Sequence, residues 1–193
     1  MSGKHESSEA EIDDEAMIRL AAGEDRALDE LMDRWSPRVI ACLYRLTGNH
    51  ATACDLAQET FVRLYQARER YRPGGTFKAL LFQIASNLAR NHARWSQRHP
   101  ETSIDREEFP EPAGLEDSNP ASETVANEAA RAVEDAVLAL PEDLRVPLVL
   151  SVYEGQGHKE IASILGCSAK AVEMRVYKAR QILRVGLKEF LAG

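Results

Sequence analysis

The sequence predicts an all-α protein of two helical domains joined by a flexible acidic linker, the second a four-helix domain built on a helix-turn-helix. Three observations carry this expectation. Apolar residues recur at three-and-four spacing along most of the chain, with no alternating strand pattern. One short segment holds the entire net charge. Lys159 to Arg184, KEIASILGCSAKAVEMRVYKARQILR, reads as two helices about a glycine turn.

At 193 residues and 44% hydrophobic content the chain suffices for one core or two small ones. Charge selects two. The formal charge is -7, yet residues 1–98 carry 14 cations and 14 acids, residues 125–193 carry 9 and 9, and residues 99–124 carry 1 and 8. The last segment also holds Pro100, Pro110, Pro112 and Pro120 with few large apolar side chains. It buries too little to offset its ordering entropy and repels itself, as a linker does. The expected division is a disordered N-terminus over 1–10, a helical bundle over 11–98, the linker over 99–124 and a second domain over 125–193.

Within the bundle, Ile12, Met17, Ile18 and Ala21 predict a short helix stopping near Gly23. A longer helix follows from about Asp25 to Leu46, with Leu28, Leu31, Trp35, Val39, Leu43 and Leu46 in register and Gly48-Asn49 ending it. Pro37 predicts a bend or break within it. Asp55 to Arg70 is the third, with Leu56, Phe61, Leu64 and Tyr65 apolar. Arg72-Pro73-Gly74-Gly75 forces a loop, after which Thr76 is placed to cap a helix reaching about Arg98.

In the second domain, Ile161, Ala162, Ile164 and Leu165 give one apolar face, and Val172, Val176, Ala179, Ile182 and Leu183 another. Gly166 supplies the positive φ of the turn, and Ser168 is placed to cap the following helix. That helix carries Lys170, Arg175, Lys178, Arg180, Arg184 and Lys188 against one acid, Glu173. A helix that buries one side and shows cations on the other suits a DNA major groove. The framework of Ala162, Gly166 and Val172 favours this over a merely solvated basic face.

Charge is polarised in the first half as well. Residues 1–60 hold 6 cations and 13 acids, whereas residues 61–98 hold 8 cations and only Glu69. Arg72, Lys78, Arg90, Arg94 and Arg98, with Asn87 and Asn91, interleave with Tyr71, Phe77, His92 and Trp95. Such a segment offers phosphate contacts and flat surfaces for unstacked bases, although Phe77, Leu80, Leu81, Ile84, Leu88 and Trp95 equally form a core face.

Cys42, Cys54 and Cys167 lack a Cys-x-x-Cys pair and read as reduced core thiols. His50 and Cys54 are half a zinc site at most, so no metal or other cofactor is expected. The acidic N-terminus is no signal peptide, and no run suits a membrane span, so a cytoplasmic protein without membrane insertion is expected. No phosphate loop or nucleophile motif is present, and Asp13-Asp14-Glu15 reads as an acidic helix start; an enzyme is not expected.

Asp-Leu-Ala-Gln-Glu-Thr-Phe at 55–61, with the loop and basic helix through Arg94, resembles region 2 of the extracytoplasmic-function sigma factors of bacterial RNA polymerase. Leu140-Pro141-Glu142, Arg145 to Leu150, Glu154-Gly155 and the helix-turn-helix resemble region 4. The resemblance covers about 11–98 and 130–187, in the family's order. It implies that Asp55, Gln58, Glu59 and Phe61 meet the clamp helices of the largest subunit of the polymerase core. It implies that Tyr71, Arg72, Phe77, Lys78, Asn87, Arg90, Asn91 and Arg94 hold the melted minus-10 strand of promoter DNA, the loop capturing a flipped base. Ser168, Lys170, Ala171, Glu173, Met174, Arg175, Lys178 and Arg180 would read the minus-35 duplex.

Glu173 and Met174 depart from the family's usual residues. Glu173 either accepts from a cytosine amino group or pairs with a nearby cation. Cys54 and Thr52 depart from the acid-rich run that usually precedes the docking helix. The linker would run toward the RNA exit path, and a solubilising tether explains its acids as well. With no sensory domain before Gly193, control by a separate anti-sigma factor is expected. The rival is a free-standing LuxR-like regulator, since Glu160 to Val176 also resembles that DNA-binding domain; residues 1–98 show no receiver or ligand-binding pattern to go with it.

Overall fold

The computed structural model describes residues 3–74, 77–99 and 120–188. Eight α-helices occur among them: α1 Gly3–Ala21, α2 Arg26–Thr47, α3 His50–Ala67, α4 Phe77–Arg98, α5 Pro120–Leu138, α6 Glu142–Val152, α7 His158–Leu165 and α8 Ala169–Gly186. A 3-10 turn, Arg68–Arg70, follows α3. The described residues contain no strand, as the apolar periodicity predicts.

Several boundaries differ from expectation for local reasons. Helix α1 begins at Gly3, so residues 3–10 are helical rather than disordered; no proline or β-branched residue opposes it there. Pro37 does not break α2. It lies on the exposed side, where water can serve the carbonyl its missing N–H leaves unpaired. Helix α3 starts at His50 because Asn49 caps it, its side chain accepting from Thr52 N–H at 2.8 Å. Helix α5 starts at Pro120 rather than after 124, with proline in the first-turn position that tolerates it. The linker over 100–119 and Thr76 lie outside the described residues.

Helices α1 to α4 close around Leu20, Leu31, Trp35, Val39, Leu64, Phe77, Leu81 and Phe82, all buried. Trp35 meets Phe77 at 5.6 Å and Phe82 edge-on at 6.1 Å between centroids. Helices α5 to α8 close around Val137, Leu144, Leu150, Ile161, Val172 and Val176. Ile182 is left out at 43% exposure, because 172, 176, 179 and 183 already complete the inward stripe.

The two halves also pack together, α2 against α5 and α6, and α4 against α6 and α7. Gly48 ends α2 at φ 72, and a β-carbon there would stand 3.1 Å from Leu138 of α5. Arg45 lies over the Tyr153 ring, 4.2 Å from its centroid. Beside it the seam is polar. Glu154 and Gln156 are both 4% exposed, and Glu154 Oε2 and both Gln156 amide atoms find no hydrogen-bond partner among the described residues. Arg38 stands 3.9 Å from Glu154 Oε2, and burial raises that carboxyl above its ordinary value.

Candidate nucleic-acid interface

The basic segment is presented by α4, whose apolar stripe faces the bundle and turns its other side out. Asn87, Asn91, Arg94 and Arg98 are all exposed and follow one another at four, three and four residues, so they line one face. Trp95 joins them at 48% exposure, stacked on His99 at 4.8 Å; it is not a core residue, because the bundle ends before the last turns of α4. Arg90 points elsewhere and meets Glu142 at 3.4 Å. Lys78 Nζ donates to the Glu154 carbonyl at 2.5 Å. Both cations thus engage the second half.

The loop before α4 is tied down from α1. Asp14 accepts from the Tyr71 hydroxyl with one oxygen and from Gly74 N–H, at 2.7 Å, with the other. Tyr71 and Phe77 are 9% and 1% exposed, so their rings pack inward rather than offering open stacking faces. Arg72 is exposed, its guanidinium donating to the Tyr71 carbonyl at 3.0 Å. A groove of about 280 Å³ opens beside the loop, walled by Arg70, Tyr71, Arg72 and Gln83 and by Ser163 and Ile164 of α7.

On α3, Asp55 and Gln58 are exposed and Glu59 is half-buried, its carboxylate accepting from Arg63 Nε at 2.7 Å. Phe61 is 3% exposed and belongs to the core; the apolar side chain on the acidic face is Val62, at 49%. The signal was present in the sequence, since 55, 58, 59 and 62 share one face at helical spacing. His50 and Cys54 stand 3.6 Å apart, Nδ1 to Sγ, and no cluster of three metal-ligating side chains occurs among the described residues.

In the helix-turn-helix, Gly166 takes φ 65 and Ser168 accepts from Ala171 N–H at 3.1 Å, the cap its position predicts. Helix α8 buries Val172, Val176 and Ala179 and exposes Lys170, Glu173, Met174, Lys178 and Arg180. Ala171 and Arg175 are half-buried, with Arg175 Nη1 3.8 Å from Cys167 Sγ. Lys170 Nζ donates to both oxygens of Glu173, at 2.9 and 3.0 Å, the cation pairing foreseen as one of two roles for that acid. Tyr177, 60% exposed on the same face as Met174, is absent from the residues expected there.

Comparison with known proteins bears on this architecture. The model of sigma-70 region 2 matches residues 31–99 and that of sigma-70 region 4 matches residues 130–183, together more than half the chain. The RNA polymerase sigma-H factor of Pseudomonas aeruginosa is 30% identical over 186 residues, covering 94% of this chain and 96% of that protein. The chain belongs to the sigma-70 family. The ECF RNA polymerase sigma-E factor of Haemophilus influenzae is 29% identical over 90% of the chain and 94% of that protein. The structure of CnrH in complex with the cytosolic domain of CnrY aligns with a TM-score of 0.69 at 26% identity, covering 92% of this chain and 98% of that one.

This extracytoplasmic-function sigma factor directs transcription initiation, and residues 31–99 and 130–183 correspond to its regions 2 and 4. The region 2 match also disfavours the LuxR-like alternative, which leaves residues 31–99 without a role. No helix among the described residues is long and apolar enough to cross a membrane.

Proposed function

We propose that this sigma factor divides its work among three surfaces. The observation that carries the reading is the open stripe of Asn87, Asn91, Arg94 and Arg98 on α4. The eleven helical steps from Asn87 to Arg98 span roughly 16 Å, which lays amides and guanidinium groups along a strand at base and phosphate spacing. Arg72 and the loop would hold a flipped base, offsetting the few kcal/mol, roughly, that unstacking costs. Helix α8 would enter the minus-35 duplex with Lys170, Glu173, Met174, Tyr177 and Lys178 toward the bases and Arg175 and Arg180 toward phosphate. Asp55, Gln58, Glu59 and Val62 of α3 would meet an arginine-bearing polymerase surface.

Lys78 and Arg90, which the minus-10 reading needs, are engaged by Glu154 and Glu142, and α7 walls the groove beside the loop. The packed arrangement therefore represents a closed form that parts before the strand is bound. An anti-sigma factor would hold the chain when it is not in use, a reading in keeping with the solved complex of CnrH with the cytosolic domain of CnrY. Its working compartment on this reading is the cytoplasm, and no catalytic step falls to the chain itself.

Co-sedimentation with bacterial RNA polymerase core, followed by run-off transcription on a promoter library, tests the proposal. Stable core binding with a restricted set of new transcripts is expected. Failure to bind core, together with tight dimeric binding to duplex DNA, would overturn it in favour of a free-standing regulator.

A further inference from the structure

We infer that Asp14 is a positioning residue for the base-capturing loop, a role that rests on the minus-10 reading of that loop. The loop is bonded to α1 through its described residues. It runs from Tyr71 through Pro73 and Gly74, the latter at φ 142, where a side chain would be strained. Of the described backbone N–H groups there, Tyr71 N–H bonds within the turn to the Arg68 carbonyl. Gly74 N–H reaches 60 positions back to Asp14.

The carboxylate of Asp14 gives one oxygen to the Tyr71 hydroxyl and the other to the Gly74 N–H. An ionised carboxylate accepts such bonds more strongly than a neutral group and has acceptors for both at once. An amide of the same size has one acceptor oxygen and places N–H donors where the second bond was made. Asp14 is in turn fixed by its neighbour. Asp13 is 2% exposed and binds Arg34 and Trp35 Nε1 of α2, so α1 cannot rotate without breaking that pair. Adjacent acids thus divide the work, Asp13 seating α1 on the bundle and Asp14 holding the loop. The groove the loop borders includes Tyr71 and Arg72, so displacement of Tyr71 moves its wall.

The test uses holoenzyme assembled on bacterial core and single-stranded minus-10 oligonucleotides from a promoter selected in transcription, each with one abasic site moved along the element. Wild-type holoenzyme should lose about tenfold in affinity at the captured position, the effect of removing a stacked base. For Asp14→Asn that penalty should fall below about twofold, because a base the loop no longer grips is not missed when absent. Minus-35 duplex binding should match wild type, as should every readout for Glu15→Gln on the exposed side of α1.

Tyr71→Phe removes one of the two bonds and should lower the penalty partway; it carries the test if Asp14→Asn does not fold. A full abasic penalty in both variants would overturn the role of Asp14. Absence of any penalty in the wild type would overturn base capture by this loop, and the inference with it.

Discussion

A carboxylate as enclosed as Asp13 survives only with donors around it, and Arg34 and Trp35 Nε1 provide them. Asp13→Ala leaves the buried indole N–H without its acceptor. It is expected to cost about 2 kcal/mol in urea unfolding, within the range for hydrogen bonds to a charged group. The sequence hid this role: Asp13-Asp14-Glu15 looks like the acidic start of a helix, but with α1 beginning at Gly3 these acids lie mid-helix, where only their tertiary partners explain them. Arg175 is the corresponding test in region 4. Arg175→Ala should weaken minus-35 duplex binding and shallow its salt dependence by about one counterion. An unchanged salt slope would remove Arg175 from the interface.

Helix α3 shows what its pattern does and does not reveal. Its inward stripe of Ala53, Ala57, Phe61 and Leu64 follows from spacing alone, and so does the outward set at 55, 58, 59 and 62. The motif that carries the family resemblance mixes the two faces, so Phe61 stands beside the contact residues in sequence while its ring lies in the core. The faces predict opposite phenotypes. Phe61→Ala should cost about 3 to 4 kcal/mol of stability, as large-to-small core changes do. Glu59→Arg should leave unfolding within about 0.5 kcal/mol while lowering affinity for polymerase core. Equal core affinity would displace the proposed docking face from α3. In the same way, Tyr71 and Phe77 were legible as aromatics in a basic segment. Their inward orientation depends on Asp14, which lies 57 positions before Tyr71, and on Trp35.

The packing of the two halves had no local signature, because the segment between them carries no apolar period and the contacting groups are scattered over α2, α4, α5, α6 and α7. It is recognisable only from the assembled surface, where Glu154 lies near Arg38, Arg45 and Lys78 with its carboxyl raised by burial. A raised acid binds a proton more readily in the packed form than when opened to water. Packing should therefore be tightest below the ordinary carboxylate range and loosen as pH climbs through the raised value. The three cations oppose that shift without cancelling it. Small-angle X-ray scattering should show the radius of gyration of the free protein growing as pH rises from below the ordinary carboxylate range. In Glu154→Gln, which has no proton to lose, it should not change; equal growth in both would place the titrating group elsewhere.

The chain's two tryptophans stand in opposite surroundings. Trp35 is 3% exposed between Phe77 and Phe82, with the Arg38 guanidinium 4.7 Å from its ring centre. Trp95 lies near the open end of α4 against an imidazole. Their emission should separate by wavelength without any attached dye. The blue component from Trp35 should hold until the bundle melts, whereas the red component from Trp95 should be quenched when nucleobases stack beside α4. The protein is thereby its own optical probe, with one channel for folding and another for promoter engagement.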